Sequence, residues 1–339
     1  MPLLNKPCRL FLESYRAKLT EWDERARRLG SLVEDLLSGH GVYVHTVSAR
    51  CKDVDSLRAK LRKKAYKNPE QQATDLLGVR VITYYQDDVD TAVRYLKQDF
   101  DIDLKKSIDK RTALDLYEFG YRSVHLIARL TKARSRQPDF KLLANVCWEI
   151  QVRSVLEHAW AELNHEMIYK GGYDYPDLIK RQFAAVAGTL ELLDGQFLQL
   201  RSGREDLIKR RTKAFERGKG LREKLDSSRL IAFLMVERPD GLSWAKARQS
   251  AAPFPPGIEA SCVEALAEAG IRTPRSLRER LAGRHFRALA SAFARNQGIA
   301  KEQISHLAVV VLAVMADDAN LLREHFPEML YDPSLGLLM

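Results

Sequence analysis

Glu149, Gln151 and Arg153 alternate along an apolar run, CWEIQVRS. Successive strand residues point to opposite sides, so these three share one face of a predicted strand. An acid, an amide and a guanidinium are costly there unless they meet a metal, a phosphate or each other. A second run, GYRSVHLIARL, carries Tyr121, Arg122 and His125 at its head, with Tyr121 and His125 on one face. Upstream, SARCKDVDSLRAKLRKK sets Arg50, Lys52, Ser56 and Lys60 close together. Clustered cations of this kind suit a triphosphate, which needs both point charges and planar donors. Asp75 stands just before the apolar run LLGVRVITYY, which contains Arg80. Taken singly, each feature has a plainer reading: a solvated basic helix face, a turn-capping acid, a core tyrosine, a packed histidine.

The elements that must position these groups follow from periodicity. Residues 7–38 place apolar side chains in steps of three and four, from Leu12 to Leu36, which predicts one helix stopped by Gly39-His40-Gly41. Residues 42–49 alternate like a strand. Asp53 or Asp55 caps a basic helix running to Lys67, and Asn68-Pro69 breaks it. Residues 76–85 are β-branched and apolar, a buried strand. Asp87-Asp88 opens a helix to about Gln98, and residues 101–119 read as a short strand and a loop. Strands follow near 121–131 and 141–152, then a helix over 153–170. His158 and His165 on that helix lie seven apart, two turns, too far to share one ion, and read as packing residues. Strands interleaved with helices predict a mixed sheet with helices against it.

Beyond Gly171-Gly172 the pattern is helical over 176–226 and again over 258–325, with breakers at 238–241 and 252–257. The stretch AEAGIRTP, residues 267–274, reads as a helix–Gly–helix connection, with a fainter likeness to the helix-hairpin turns of nucleic-acid binders.

The chain has 339 residues, with 55 Lys and Arg against 45 Asp and Glu, a net charge of +10. That is room for two domains, and a balance that favours polyanions such as nucleotides or RNA, although an ordinary basic surface has the same total. Cys8, Cys51, Cys147 and Cys262 are scattered without a CxxC pair, which argues against a zinc site or a disulfide framework. No apolar run reaches the roughly 18 residues that span a bilayer, so no membrane partner is expected. The N-terminus is amphipathic and charged, unlike a signal peptide, and the expected compartment is the cytoplasm.

In order and spacing, GYRSVH, EIQVRS and HAWAELNHEMIYK resemble the synthetase domain of the RelA/SpoT family, over roughly residues 40–172. The resemblance implies a nucleotidyltransferase-like α/β fold: a mixed sheet flanked by helices, followed here by a mainly helical C-terminal region. The expected domains are residues 1–172, with an N-terminal helix and a core over 40–172, then a helical extension over 173–237 and a helical domain over 258–339. It implies transfer of the β,γ-diphosphate of ATP to the 3′ hydroxyl of GDP or GTP, with Mg²⁺ as cofactor. Arg50 and Arg80 would stack on adenine, and Lys52, Ser56 and Lys60 would complete the ATP site. Asp75 and Glu149 would hold the metal. Glu149 as ligand, base or both stays open. Tyr121 would stack on the acceptor base and His125 would lie near the phosphates, with Gln151, Arg122 and Arg153 in the acceptor region. Either arginine could contact phosphate or pair with Glu149.

The sequence departs from the family in the loop before Gly120, where Tyr117 and Phe119 stand in place of a lysine and a small polar residue. Aromatic stacking tolerates different bases, which keeps a second acceptor in view, the 3′ end of tRNA, as in toxins of this family. A catalytically inactive nucleotide sensor is the third reading, and the retained Asp75 and Glu149 argue against it. No histidine–aspartate pair of a hydrolase stands upstream of Arg50, so synthesis alone is expected. Self-association and a regulatory partner at the C-terminal region are left open.

Overall fold

The computed structural model describes residues 4–110, 123–164, 166–167, 176–237, 258–283, 286, 290 and 306–315. Tyr121 and Arg122, the loop aromatics Tyr117 and Phe119, and His165 lie outside these residues. The chain divides into two units, residues 1–199 and 200–339. The sequence reading ended its first domain at 172; this division falls inside a 40-residue helix, α8 (Asp177–Glu216).

The first unit opens with two helices, α1 (Lys6–Ala17) and α2 (Leu19–Gly39), where the periodicity predicts one. The break at Lys18 lets each serve a different core. Cys8, Leu12 and Tyr15 of α1 pack with Leu57, Leu61, Ala73 and Leu76. Ala26, Leu29, Val33 and Leu37 of α2 pack on the sheet. The chain continues through β1 (Val44–Cys51), α3 (Val54–Lys64), α4 (Pro69–Gln72), β2 (Leu77–Thr83) and α5 (Gln86–Asp99). Then come β3 (Phe100–Ile102), β4 (Ile108–Asp109), β5 (Val124–Leu130), α6 (Lys132–Ser135), β6 (Trp148–Ser154) and α7 (Val155–Asn164). The strand expected from 141 begins only at Trp148. Residues 138–143 form a 3-10 turn started by Pro138, and Asn145 takes a left-handed conformation at φ 62°. A proline start and a positive φ both oppose an extended chain.

The six-stranded sheet has the order β1-β2-β6-β5-β3, with β4 paired on β5. β2 and β6 run parallel and the other pairs antiparallel, so the expected mixed sheet forms. Its two faces differ sharply. Leu77, Val79, Val81, Val124, Leu126, Trp148, Ile150 and Val152 point into one core with α2 and with Val89, Ala92, Val93 and Leu96 of α5. Trp148 is fully buried, edge-on to Phe100 at 5.6 Å. The intervening residues face the other way, and these include the groups singled out above.

The second unit is helical among its described residues: the end of α8, α9 (Ser227–Val236), α10 (Ile258–Glu268), α11 (Pro274–Ala282) and α12 (His306–Met315). Phe215, Leu225, Leu230, Phe233, Cys262, Leu266, Leu277 and residues 308–314 form its core. The helix–Gly–helix connection is as read. Gly270 turns the chain at φ 78°, and Thr273 and Ser276 form a reciprocal capping box at the start of α11. No helix among the described residues is long and apolar enough to cross a membrane.

Candidate active site

Strand register builds the site. Residues directly opposite on neighbouring strands share a face. One cross-strand row runs Arg50, Gly78, Glu149, Ile127. The next runs Ser48, Arg80, Gln151, His125, Ile108. Two rows therefore gather residues separated by up to 103 positions, from Ser48 to Gln151, onto one polar face. A cleft of about 330 Å³ opens there, lined by Arg50, Lys52, Ser56, Asp75, Arg80, Glu149 and Gln151 among others. Gly78 lies in its floor, where a methyl group would meet nothing of the protein within 4 Å.

The alternating trio on β6 is one hydrogen-bonded chain. Arg153 donates to Gln151 Oε1 at 2.5 Å, and Gln151 Nε2 donates to Glu149 Oε2 at 3.1 Å. Arg153 is 2 % exposed, so it braces Gln151 from beneath and acts on Glu149 through that amide. His125 Nδ1 lies 2.6 Å from Glu149 Oε1, and its Nε2 lies 2.7 Å from Ser123 Oγ. With Glu149 ionised and the ring neutral, Nδ1–H donates to the carboxylate and the buried Ser123 hydroxyl donates to Nε2. Burial is the strongest influence on the Glu149 carboxyl and pushes its pKa up. The bonds from His125 and Gln151 together outweigh it and hold the group below the usual carboxylate range.

The second carboxylate has the same logic. Asp75 stands between Lys52, 3.0 Å from Oδ2, and Lys60, 2.7 Å from Oδ1. Burial raises its pKa, and the two ammonium groups lower it further than burial raises it. Oδ1 is buried and, although ion-paired, makes no hydrogen bond of ordinary geometry. Asp75 and Glu149 sense each other's charge and line one cleft. No cluster of three or more His, Cys, Asp or Glu side chains that could hold a metal is present among the described residues. Two carboxylates, one with an oxygen lacking a hydrogen bond, fit a magnesium ion completed by substrate phosphates.

Supporting contacts explain why these groups stay put. Asp53 caps α3 by accepting from Ser56 N at 2.9 Å, which fixes the cation-bearing turn from Arg50 to Lys60. Lys52 is gripped twice through its backbone: its N–H donates to Leu76 O at 2.8 Å, and its carbonyl accepts from Tyr15 Oη at 2.7 Å. Arg80 is ion-paired with Glu162 of α7 at 3.0 Å. Ser154 and Glu157 cap α7 reciprocally, and Ser154 Oγ donates to Asp194 of α8 at 2.9 Å.

Of the predicted residues, Arg50, Lys52, Ser56, Asp75, Arg80, Glu149 and Gln151 line the cleft. Lys60, His125 and Arg153 each touch a residue that does. Sequence reasoning missed Ser123, Tyr15 and Lys110. Lys110 is held beside β5 by its N–H to Ser123 O at 3.0 Å. Burial lowers its ammonium pKa most, Arg153 lowers it too, and nearby Glu149 offsets part of that. The polar Ser123 at the head of an apolar run was the one available signal for that residue.

Residues 49–174 match the family described as "Region found in RelA / SpoT proteins". Among characterised proteins, the chain is similar to GTP pyrophosphokinase YwaC of Bacillus subtilis, 29 % identical over 171 residues, which are 49 % of this chain and 78 % of that one. It is also similar to GTP pyrophosphokinase YjbM of the same species, 25 % identical over 195 residues, 56 % of this chain and 87 % of that one. The crystal structure of small alarmone synthetase 1 from Bacillus subtilis superposes with a TM-score of 0.46 at 21 % identity, covering 57 % of this chain and 99 % of that one. The stretch from 49 to 174 that matches this RelA/SpoT region carries Arg50, Asp75, His125 and Glu149.

Proposed function

We propose that this protein is a pyrophosphokinase that moves the β,γ-diphosphate of ATP onto the 3′ hydroxyl of GDP or GTP, forming an alarmone. The observation that carries the reading is the pairing of Glu149 with His125, at 2.6 Å, beside an Asp75 held between two lysines. A structural ion pair needs no cleft in front of it and no second carboxylate. A transferase needs both.

In this reading Arg50 and Arg80, flanking the cleft on neighbouring strands, hold the adenine. Lys52 and Lys60 neutralise the triphosphate, with Asp75 keeping their ammonium groups in place. Asp75 and Glu149 are the residues that would hold Mg²⁺, which would supply charge neutralisation for the transferring group. Glu149 accepts the 3′ hydroxyl proton as the oxygen attacks the β-phosphorus and AMP leaves. His125 orients that carboxylate, and Ser123 fixes the ring. Gln151 and Arg153 hold Glu149 from its other side, and Tyr121 and Arg122 are assigned to the acceptor. The two relatives named GTP pyrophosphokinases support a guanine nucleotide as acceptor.

The test supplies purified protein with γ-³²P-ATP and Mg²⁺, and with GDP, GTP or deacylated tRNA in parallel. Label on GDP or GTP supports the proposal. Label on tRNA alone overturns the acceptor, and no transfer to any of the three overturns the enzymatic reading.

A further inference from the structure

The second unit carries a concentrated charge that the transfer chemistry does not use. Helix α8 ends in a double-bonded turn: Lys219 N–H donates to Ala214 O and Gly218 N–H to Phe215 O, each at 2.9 Å. Gly218 and Gly220 then take left-handed conformations, at φ 69° and 79°. Glycine tolerates these at no steric cost. The loop they shape reads Arg217-Gly-Lys-Gly-Leu-Arg-Glu-Lys224. Buried Phe215 and Leu225 anchor its two ends in the core. Two backbone bonds, Arg275 N to Leu221 O and Leu225 N to Arg272 O, each 2.8 Å, lay it against the turn before α11.

On this held backbone Arg217, Lys219, Arg222 and Lys224 are all exposed, as is Arg272 across the two bonds. Among the described residues none of the five side chains has an ion pair or hydrogen bond. Arginines around them are handled differently. Arg229 pairs with Glu223 and Asp226, Arg211 with Asp226, Arg278 with Glu237, and Arg275 with Glu279. Glu223, the one acid within the loop, is thus engaged by Arg229 rather than by the loop's own cations. Repulsion among unpaired like charges is tolerated on a surface where water screens it, and is offset when a polyanion arrives.

We propose that this loop, with Arg272, is a docking surface for the phosphate backbone of a nucleic acid. The partner's chemistry follows from what surrounds the cations. Within the described residues of this unit the exposed large apolar side chains are Leu200 and Met235. An anionic bilayer is normally gripped by charge together with inserted apolar side chains, and the loop offers only Leu221, which packs against the core. Among the described residues of this unit no aromatic is exposed to stack on bases. Contact is therefore to phosphates, independent of base sequence and strongly dependent on salt. This inference is independent of the transferase proposal.

The test uses the full chain and fluorescein-labelled 20-nucleotide single-stranded RNA, with duplex RNA and duplex DNA of the same length and two unrelated base sequences each. Anisotropy titrations from 50 to 200 mM KCl give affinity and salt slope. The loop variant is R217Q/K219Q/R222Q/K224Q. A control, K18Q/K97Q/K105Q/K141Q, removes the same charge from exposed positions of the first unit. The expected result is binding without base preference by the parent. The loop variant should be at least about tenfold weaker at 50 mM salt. Its slope should be shallower by about three to three and a half, because each phosphate left unneutralised takes roughly 0.7 to 0.9 off the slope. The control should stay within about threefold of the parent. Equal weakening in both variants would reduce the effect to net charge and overturn the proposal. So would parent binding that ignores salt. Loss of binding to phosphatidylserine vesicles by the loop variant, with nucleic-acid binding intact, would assign the surface to a membrane instead.

Discussion

Among the described residues two regions gather positive charge, and they treat it in opposite ways. In the cleft, Lys52 and Lys60 share Asp75, and Arg80 leans on Glu162. In the loop after α8, four cations within eight residues have no acidic partner among the described residues. Transfer chemistry at one phosphorus atom needs each charge in a set place before substrate arrives, because a misplaced group loses most of its effect. Partner acids supply that placement. A polymer of phosphates presents the same charge at every step, so its docking surface needs only a high local density of cations.

The largest expected effect separates the two regions most directly. Glu149→Ala should lower kcat for transfer by roughly 100- to 10,000-fold, the usual contribution of a positioned base. ATP affinity should change little, and nucleic-acid binding not at all. Full transfer activity in that variant would remove Glu149 from the chemistry.

A second test uses the opposing forces on that carboxyl. Its pKa is low because His125 and Gln151 outweigh burial. In His125→Ala one counterweight is gone and burial gains, so the pKa rises and the acid limb of the kcat profile moves to higher pH. An unmoved limb would mean that His125 does not tune Glu149. The sign for stability runs the same way. Glu149 and Asp75, both held below the ordinary range, favour the folded chain at neutral pH. That contribution is lost only as pH falls below about 4, through their depressed values.

Gly78→Ala probes the cleft floor. The added methyl meets no protein atom, and alanine is slightly better than glycine within a strand, so thermal stability should hold or rise a little. KM for ATP should increase several-fold, because the methyl projects between Arg50 and Glu149. Unchanged KM would show that the nucleotide does not lie on this floor.

The smallest effect belongs to Tyr15→Phe. It removes the hydroxyl that holds the Lys52 carbonyl, at a cost of about 1 kcal/mol in chemical denaturation. KM for ATP should rise modestly with kcat nearly constant. An equal fall in kcat would mean that Tyr15 acts on more than the placement of Lys52.

How legible each residue was in the sequence depended on the range of the interaction that places it. Glu149, Gln151 and Arg153 were readable because strand alternation is local: period two puts them on one face whatever the rest of the chain does. Asp75, Lys52 and Lys60 were readable only through the motif they resemble, since a turn acid and a basic helix look ordinary alone. Tyr15 read as an amphipathic core position, and periodicity has no means of showing that its hydroxyl ends on Lys52. The single helix predicted over 7–38 failed at Lys18 for a related reason. The apolar spacing is continuous across the break, and the two halves are separated by what they pack against.

By itself, then, the sequence determined the mixed strand and helix order, the polar face of β6 and the cationic turn after β1. It also determined the helical character of the second unit. These rest on periodicities, caps and turn residues that act within a few positions. Tertiary structure alone decided that His125 meets Glu149, because the β5–β6 register pairs it opposite Gln151, one step along. It also brought Lys110 beside Glu149 and placed Arg272 next to the basic loop. Each of these depends on how separate elements align across a shared core, and side-chain packing over the whole unit sets that alignment.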